Sequence, residues 1–280
     1  MNLFSTIGIG VAFSPNLKAN ICEASRLALL FDAKLVLIHV GQDSEEKRIR
    51  LEEHTQAFLA KGLNYEMVFQ QGNPVDVILS VSESKAIDLL ILGALQREQF
   101  LKYYVGSIAR RITRRAKCSV LLLIKPSVER VACQHIVVNG LNDPKTEHTI
   151  QSAFYVGHGL GVERISIVEE IKPSEVAVKV DDDKSLRKVA ITKERIRLRE
   201  ESRVKKIVDD LPDQYTKGIN IKSQPIFGKR GYSIGHYAQI VRADLLIMNA
   251  SMQMSFWDRL FPHDIEYILS ELPTDVLILQ

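Results

Sequence analysis

A chain of 280 residues, 46% hydrophobic and 25% charged, is long enough to bury a core in each of two domains of about 140 residues. Its formal charge of +3 is too small for net electrostatics to point to nucleic acid or a membrane surface as a partner. No apolar run approaches the roughly 20 residues that cross a bilayer, and the opening MNLFSTIGIGVAF has neither the charged start nor the small-residue cleavage site of a secretory leader. A cytoplasmic location is therefore expected.

In chain order, apolar runs predict strands near Thr6 to Phe13, Lys34 to His39, Asn64 to Gln70, Asp88 to Leu92 and Ser119 to Ile124. Helix-period apolar positions fall between them, at Ile21, Ala24, Ala28 and Leu29, then at Val75, Ile78 and Leu79. Alternating helices and short, continuously apolar strands imply a parallel sheet covered on both faces. Cys22, Cys118 and Cys133 are odd in number and lack metal-like spacing, so they read as structural thiols. Gly8 and Gly10 inside the first strand suit close packing better than ligand approach.

The second half repeats the first. Gly72 and Asp88 recur as Gly228 and Asp244, 156 residues on, and the same spacing carries Cys118 before an apolar run onto Thr274. Nearer the start of each half, Ile7 pairs with Ile136 and Ala33 with Val162 at a spacing of 129, so the second half holds 27 additional residues before Phe227. The fold class expected is α/β: two tandem doubly wound five-stranded domains, residues 1–127 and 133–280, joined through Lys125 to Gln134. The insertion, between about 170 and 217, contains a highly charged run from Asp181 to Asp213 with a broken apolar stripe. A long, partly exposed helix is expected there, either simply solvated or an arm for a partner, and the acids Asp181 to Asp183 suit its N-terminal dipole without any metal. Gly157, Gly159 and Gly161 lie between a helix and a strand, which suits a helix C-cap and not a dinucleotide loop.

The stretch LLILGALQREQFLKYYVGSIARR, Leu89 to Arg111, carries the main functional signal. Gly93 ends a strand without a side chain, and Gly106 and Ser107 open a basic helix whose first amides are unpaired, with Ser107 placed to cap it. An anion cradle and an ordinary helix start both fit this pattern. Arg110 and Arg111, in the first turn, lie close to such a site, although a solvated helix face also accounts for them. No P-loop, nucleophile elbow or zincin motif is present, and the seven histidines show no paired metal spacing, so no catalytic or metal residue is assigned.

Gly93, Gln96, Gly106 and Ser107, together with GNPVDVIL before the third helix and Cys118 before the fifth strand, resemble the universal stress protein family over nearly the whole chain as a tandem pair. Its nucleotide-binding members show Gly, two residues, Gly, nine residues, then Gly-Ser or Gly-Thr. The resemblance implies strand order 3-2-1-4-5 in each domain, a pseudo-dimer of the two, a possible homodimer beyond that, and a non-enzymatic stress-response role. It implies ATP or a related nucleotide held in the first domain by Val40 on the ribose side with Gly93, Gln96, Gly106 and Ser107, and no membrane or nucleic-acid partner. Two departures weaken that site: Gln96 stands where the family has glycine, and Ala12 stands where it has an adenine-side aspartate. In the second domain the corresponding positions are Leu141, Asn249, Met252, Pro262 and His263, so no nucleotide is expected there. The apolar residues Met252, Met254, Phe256, Trp257 and Phe261 read as packing over the vacated crevice or as a partner patch.

Overall fold

The computed structural model describes residues 3–96, 103–176, 181–250 and 264–280. Met252, Met254, Phe256, Trp257, Phe261, Pro262 and His263 lie outside them. Two compact units emerge: Met1–Ala132 with Asp275–Gln280, and Cys133–Thr274.

In the first unit the order is β1 (Thr6–Gly10), α1 (Leu17–Leu30), β2 (Lys34–Val40), α2 (Glu45–Leu59), β3 (Tyr65–Gln70), α3 (Pro74–Ser84), β4 (Leu89–Gly93), the short β5 (Leu95–Gln96) and β6 (Tyr103–Tyr104), α4 (Ser107–Arg115) and β7 (Ser119–Leu123). The strands lie in the order β3-β2-β1-β4-β7, all parallel, with Gly8 opposite Val36 on one side and Leu90 on the other. This is the order expected from the family resemblance. Ile7, Ile9, Leu35, Leu37, Leu90 and Ile91 are almost wholly buried, which is what continuous apolar strands need when helices cover both faces. Gly8 makes room for a neighbour: a Cβ there would stand 2.4 Å from Ile87 Cδ1, so it serves packing. The α2 and α3 starts are set locally by Ser44, whose hydroxyl accepts from the Lys47 amide, and by Asn73 ahead of Pro74.

The second unit runs β8 (His135–Asn139), α5 (Thr146–Leu160), β9 (Arg164–Ile171), a 3-10 turn at Pro173–Val176, α6 (Asp183–Asp209), α7 (Asp213–Thr216), β10 (Asn220–Phe227), α8 (Tyr232–Ile240), β11 (Leu245–Asn249) and α9 (Asp264–Ser270). Its strands lie β10-β9-β8-β11, all parallel, over a core that includes Ile150, Phe154, Ile165 and Ile234. Gly161, left-handed at φ 76°, closes α5 as a C-cap. Asp182 and Ser185 form a reciprocal capping box at the start of α6, so the acidic run there serves the helix end.

By compactness the last strand, β12 (Asp275–Leu279), is grouped with the first unit. It runs antiparallel beside β7, Val276 opposite Leu122 and Ile278 opposite Val120, and the Asp275 carboxylate accepts from the Ile124 amide at 2.8 Å.

The repeated aspartates do the same work in both units. Asp88 accepts from the Ser5 and Thr6 amides at 2.8 and 3.2 Å, and Asp244 from the Gln134 and His135 amides at 2.8 and 2.9 Å. Each ties the entry of a first strand to the foot of a fourth. Asp88→Ala is expected to destabilise the first unit by about 1 to 3 kcal/mol, because two strand-entry amides lose a charged acceptor. Urea unfolding checks this, and Asp88→Asn should recover part of the loss.

Candidate functional site

The carboxyl ends of the parallel strands are where an open α/β sheet offers a crevice, and in the first unit all five site residues identified from sequence belong to segments at that end. Val40 is the last residue of β2 and half-buried. Gly93 is the last residue of β4 and exposed. A Cβ at Gly93 would meet only the Asn20 amide, at 3.5 Å, so the backbone is open to a ligand there.

Gln96 and Leu95 form β5, which pairs antiparallel with Tyr104 and Tyr103 of β6. The strand-to-helix connection thus carries a short antiparallel pair, and the Gln96 side chain lies outside the described residues. β6 returns the chain to Gly106, where Lys125 places its ammonium 5.6 Å from the Tyr103 ring centre.

Gly106 itself is the N-cap of α4, at φ −60° and ψ 160°, and its carbonyl accepts from the Arg110 amide at 2.9 Å. Ser107 is the first helical residue and not the cap, a correction to the sequence reading: the extended ψ of Gly106 places the boundary one residue earlier. With glycine as cap there is no side-chain acceptor for the first-turn amides. They form the positive end of a short basic helix and suit an anion.

Sequence reasoning missed the other walls of this crevice. Asn20, from the second turn of α1, is next to Gly93, and its Oδ1 is buried without a hydrogen-bond partner among the described residues. Its signal was present: Asn20 interrupts the apolar stripe of Leu17, Ile21, Ala24 and Ala28. At the ends of β1, β2 and β3, Phe13, His39 and Phe69 meet edge to face, at centroid distances of 5.0 and 5.5 Å. His39 Nδ1 lies 3.1 Å from the Val11 carbonyl. Arg48 and Arg50 from α2 place their guanidiniums 5.0 and 5.2 Å from the Phe69 and Phe13 rings. Ala12 leaves no carboxylate in this wall.

In the second unit, Leu141 and Asn249 are the corresponding positions that lie among the described residues. Leu141 is buried, and the Asn249 amide, at the place of Gly93, donates to Asp143 at 3.3 Å. Over the ends of β8 and β9, Arg203 of α6 donates to the Gly140 carbonyl and, at 3.0 Å, to Glu169.

Among the described residues no group of three His, Cys, Asp or Glu side chains could hold a metal ion. Burial pushes the Cys118 thiol up to about 11, which makes it a poor nucleophile. No helix among the described residues is long and apolar enough to cross a membrane.

Comparison with known proteins agrees with the geometry. The model of the universal stress protein family matches residues 3–123. A curated universal stress protein of Methanocaldococcus jannaschii is 29% identical over 68 residues, which is 24% of this chain and 40% of that protein. The chain thus spans less than half the length of this curated relative. Among solved structures, a universal stress protein from Archaeoglobus fulgidus superposes at TM-score 0.66 and 16% identity, over 99% of this chain and 98% of that one. A functionally unknown protein from Pseudomonas aeruginosa does so at TM-score 0.71 and 12% identity, over 99% and 93%. At these identities the likeness is one of fold. Residues 3–123 thus match the universal stress protein family model, and the fold of the whole chain is that of a solved universal stress protein.

Proposed function

We propose that the protein is a non-enzymatic regulatory module of the cytoplasm whose first unit holds ATP or a related nucleotide weakly and whose second unit holds none. One observation carries this reading: open backbone at Gly93 stands beside the buried, unpartnered Oδ1 of Asn20, an acceptor that calls for a donor. A nucleotide supplies such donors in its hydroxyls and exocyclic amine, and its phosphates suit the uncapped start of α4 at Gly106 and Ser107. Val40 and Gln96 complete the set of contacts proposed. Weak affinity follows from Ala12, since a missing hydrogen-bond partner costs about 1 to 3 kcal/mol, or roughly ten- to a hundredfold in affinity. In the second unit, buried Leu141, the Asn249–Asp143 contact and Arg203 support a strand end without nucleotide.

A calorimetric titration with ATP and magnesium tests this. One site per chain is expected, with Gly106→Asp abolishing binding and Ala12→Asp tightening it ten- to a hundredfold. Binding indifferent to both substitutions would place the ligand elsewhere. Metal-dependent turnover lost with Gly106→Asp would make the first unit a slow ATPase or phosphotransferase, contrary to the reading.

A second reading is favoured by the Phe13, His39 and Phe69 cluster with its two arginines, which fills the ends of the first three strands with the protein's own rings. On that reading the first unit works through another small ligand or a protein partner. No heat at millimolar ATP, confirmed by an independent binding assay, would favour it.

A further inference from the structure

The inserted helix α6 is 27 residues long, yet it buries only Ile196, Glu200 and Val204. Its apolar footing is small: Ile196 meets Ile171 of β9 and Val176 of the 3-10 turn, with Val189 and Phe227 packed alongside. The middle of its three buried residues is an acid, and that acid meets another. Glu200 is 1% exposed, Glu169 on β9 is 7% exposed, and Arg203 bridges them with Nε 2.8 Å from Glu200 Oε2 and Nη2 3.0 Å from Glu169 Oε2.

Two buried carboxyls share the guanidinium of Arg203, and the other cation, Arg199, lies largely in solvent and bonds Glu200 alone, so the interior of the site is served by one cation for two acids. Two carboxylates at such a site cannot both ionise at ordinary cost. Burial, reinforced by the hydrogen bond to Glu200, pushes Glu169 up to about 8. Burial would raise Glu200 too, but hydrogen bonds from Glu169, Arg203 and Arg199 outweigh it and hold Glu200 down at about 2. Glu169 is thus the acid that keeps the proton, and it donates it to the Glu200 carboxylate; the two titrate as a pair.

The other charges around the pair are few. Arg199 of α6, itself largely exposed, bonds Glu200, and Glu175 of the 3-10 turn acts on Arg199. The adjacent Glu170 of β9 accepts from the Gly231 and Ile234 amides at the start of α8. From the end of β8 comes the uncharged Gly140 carbonyl, held by Arg203.

We propose that α6 is a proton-operated strap on the second unit: seating it over the carboxyl ends of β8 and β9 takes up one proton between Glu169 and Glu200, so it tightens in acid and loosens as pH rises. The proton comes from solvent on closing and returns there on opening, when Glu169 regains an ordinary carboxyl environment. The seated state binds one more proton than the lifted state between the ordinary glutamate value near 4.5 and about 8. Opening therefore becomes about tenfold easier per pH unit inside that window and levels off above it. Because so little of α6 is buried, its opening is a local event that need not unfold the sheet.

Hydrogen exchange on the full chain tests the proposal, with protection of the α6 amides corrected for the chemical exchange rate. Wild-type protection in α6 should fall about tenfold per pH unit from roughly pH 5 to 7 and flatten above about 8. Glu169→Gln keeps the hydrogen bonds without a titrating proton, and Glu200→Gln removes the need for one. Each should give α6 protection independent of pH, while the β1 amides stay level in all three proteins. A flat wild-type profile, an undiminished slope in both variants, or an equal slope in β1 would overturn the strap.

Discussion

Arg203→Met is expected to lower the stability of the second unit by about 3 to 5 kcal/mol, the usual cost of breaking a buried ion pair by removing one partner. Arg203 is the only guanidinium that bonds both Glu169 and Glu200 among the described residues, and its loss also leaves the Gly140 carbonyl without that donor. Methionine keeps much of the side-chain volume, so the deficit reports charge and hydrogen bonding more than a cavity. Urea unfolding followed at the second unit should show a lower midpoint with an unchanged slope. Combining Arg203→Met with Glu200→Gln should cost less than the sum of the two, since a neutral amide no longer requires the cation. Strict additivity would mean that the three groups do not act as a unit. This measures the strength of the cluster; the hydrogen-exchange profile measures its proton.

Glu170→Ala should cost a comparable amount, about 3 to 5 kcal/mol, for a different reason. Glu170 is 1% exposed, and its two oxygens accept from the Ile234 and Gly231 amides at 2.7 and 2.8 Å. The α8 N-cap is Gly231, left-handed at φ 75° and with no side chain to cap the helix, so a carboxylate from the neighbouring strand supplies what the cap lacks. Alanine leaves two buried amides unsatisfied and a void, each costing roughly 1 to 3 kcal/mol, and it removes an anion from the helix dipole. Glu170→Gln keeps the volume and one acceptor, and should recover at least half the loss. Thermal unfolding with circular dichroism reads both variants, and equal losses for alanine and glutamine would show that the anion and not the packing is what α8 requires.

Neither acid was legible as a pair in the sequence. Glu169 and Glu170 read as an acidic end to an apolar strand, and strand alternation sends one toward α6 and the other toward α8. Glu200 and Arg203 read as part of a charged helix, because i to i+3 pairs are usually solvated. Their burial is set by how α6 seats on β9, a non-local contact. The same holds for Asn20, whose significance depends on the proximity of Gly93, and for Ser107, displaced from the cap by the backbone of Gly106.

What the sequence determined by itself was the periodic part of this protein. Continuous apolar runs specify buried parallel strands, the recurrence of Gly72 and Asp88 as Gly228 and Asp244 specifies two units of one kind, and Gly93 and Gly106 mark the end of one strand and the start of the next helix. These are short-range patterns, repeated along the chain, and local sterics and burial suffice to read them. Tertiary structure alone decided which polar side chains would be buried together, and that α6 would lie over the ends of β8 and β9. Those outcomes depend on contacts between residues as far apart as Gly140 and Arg203, where desolvation and charge balance are settled only once the chain has closed on itself.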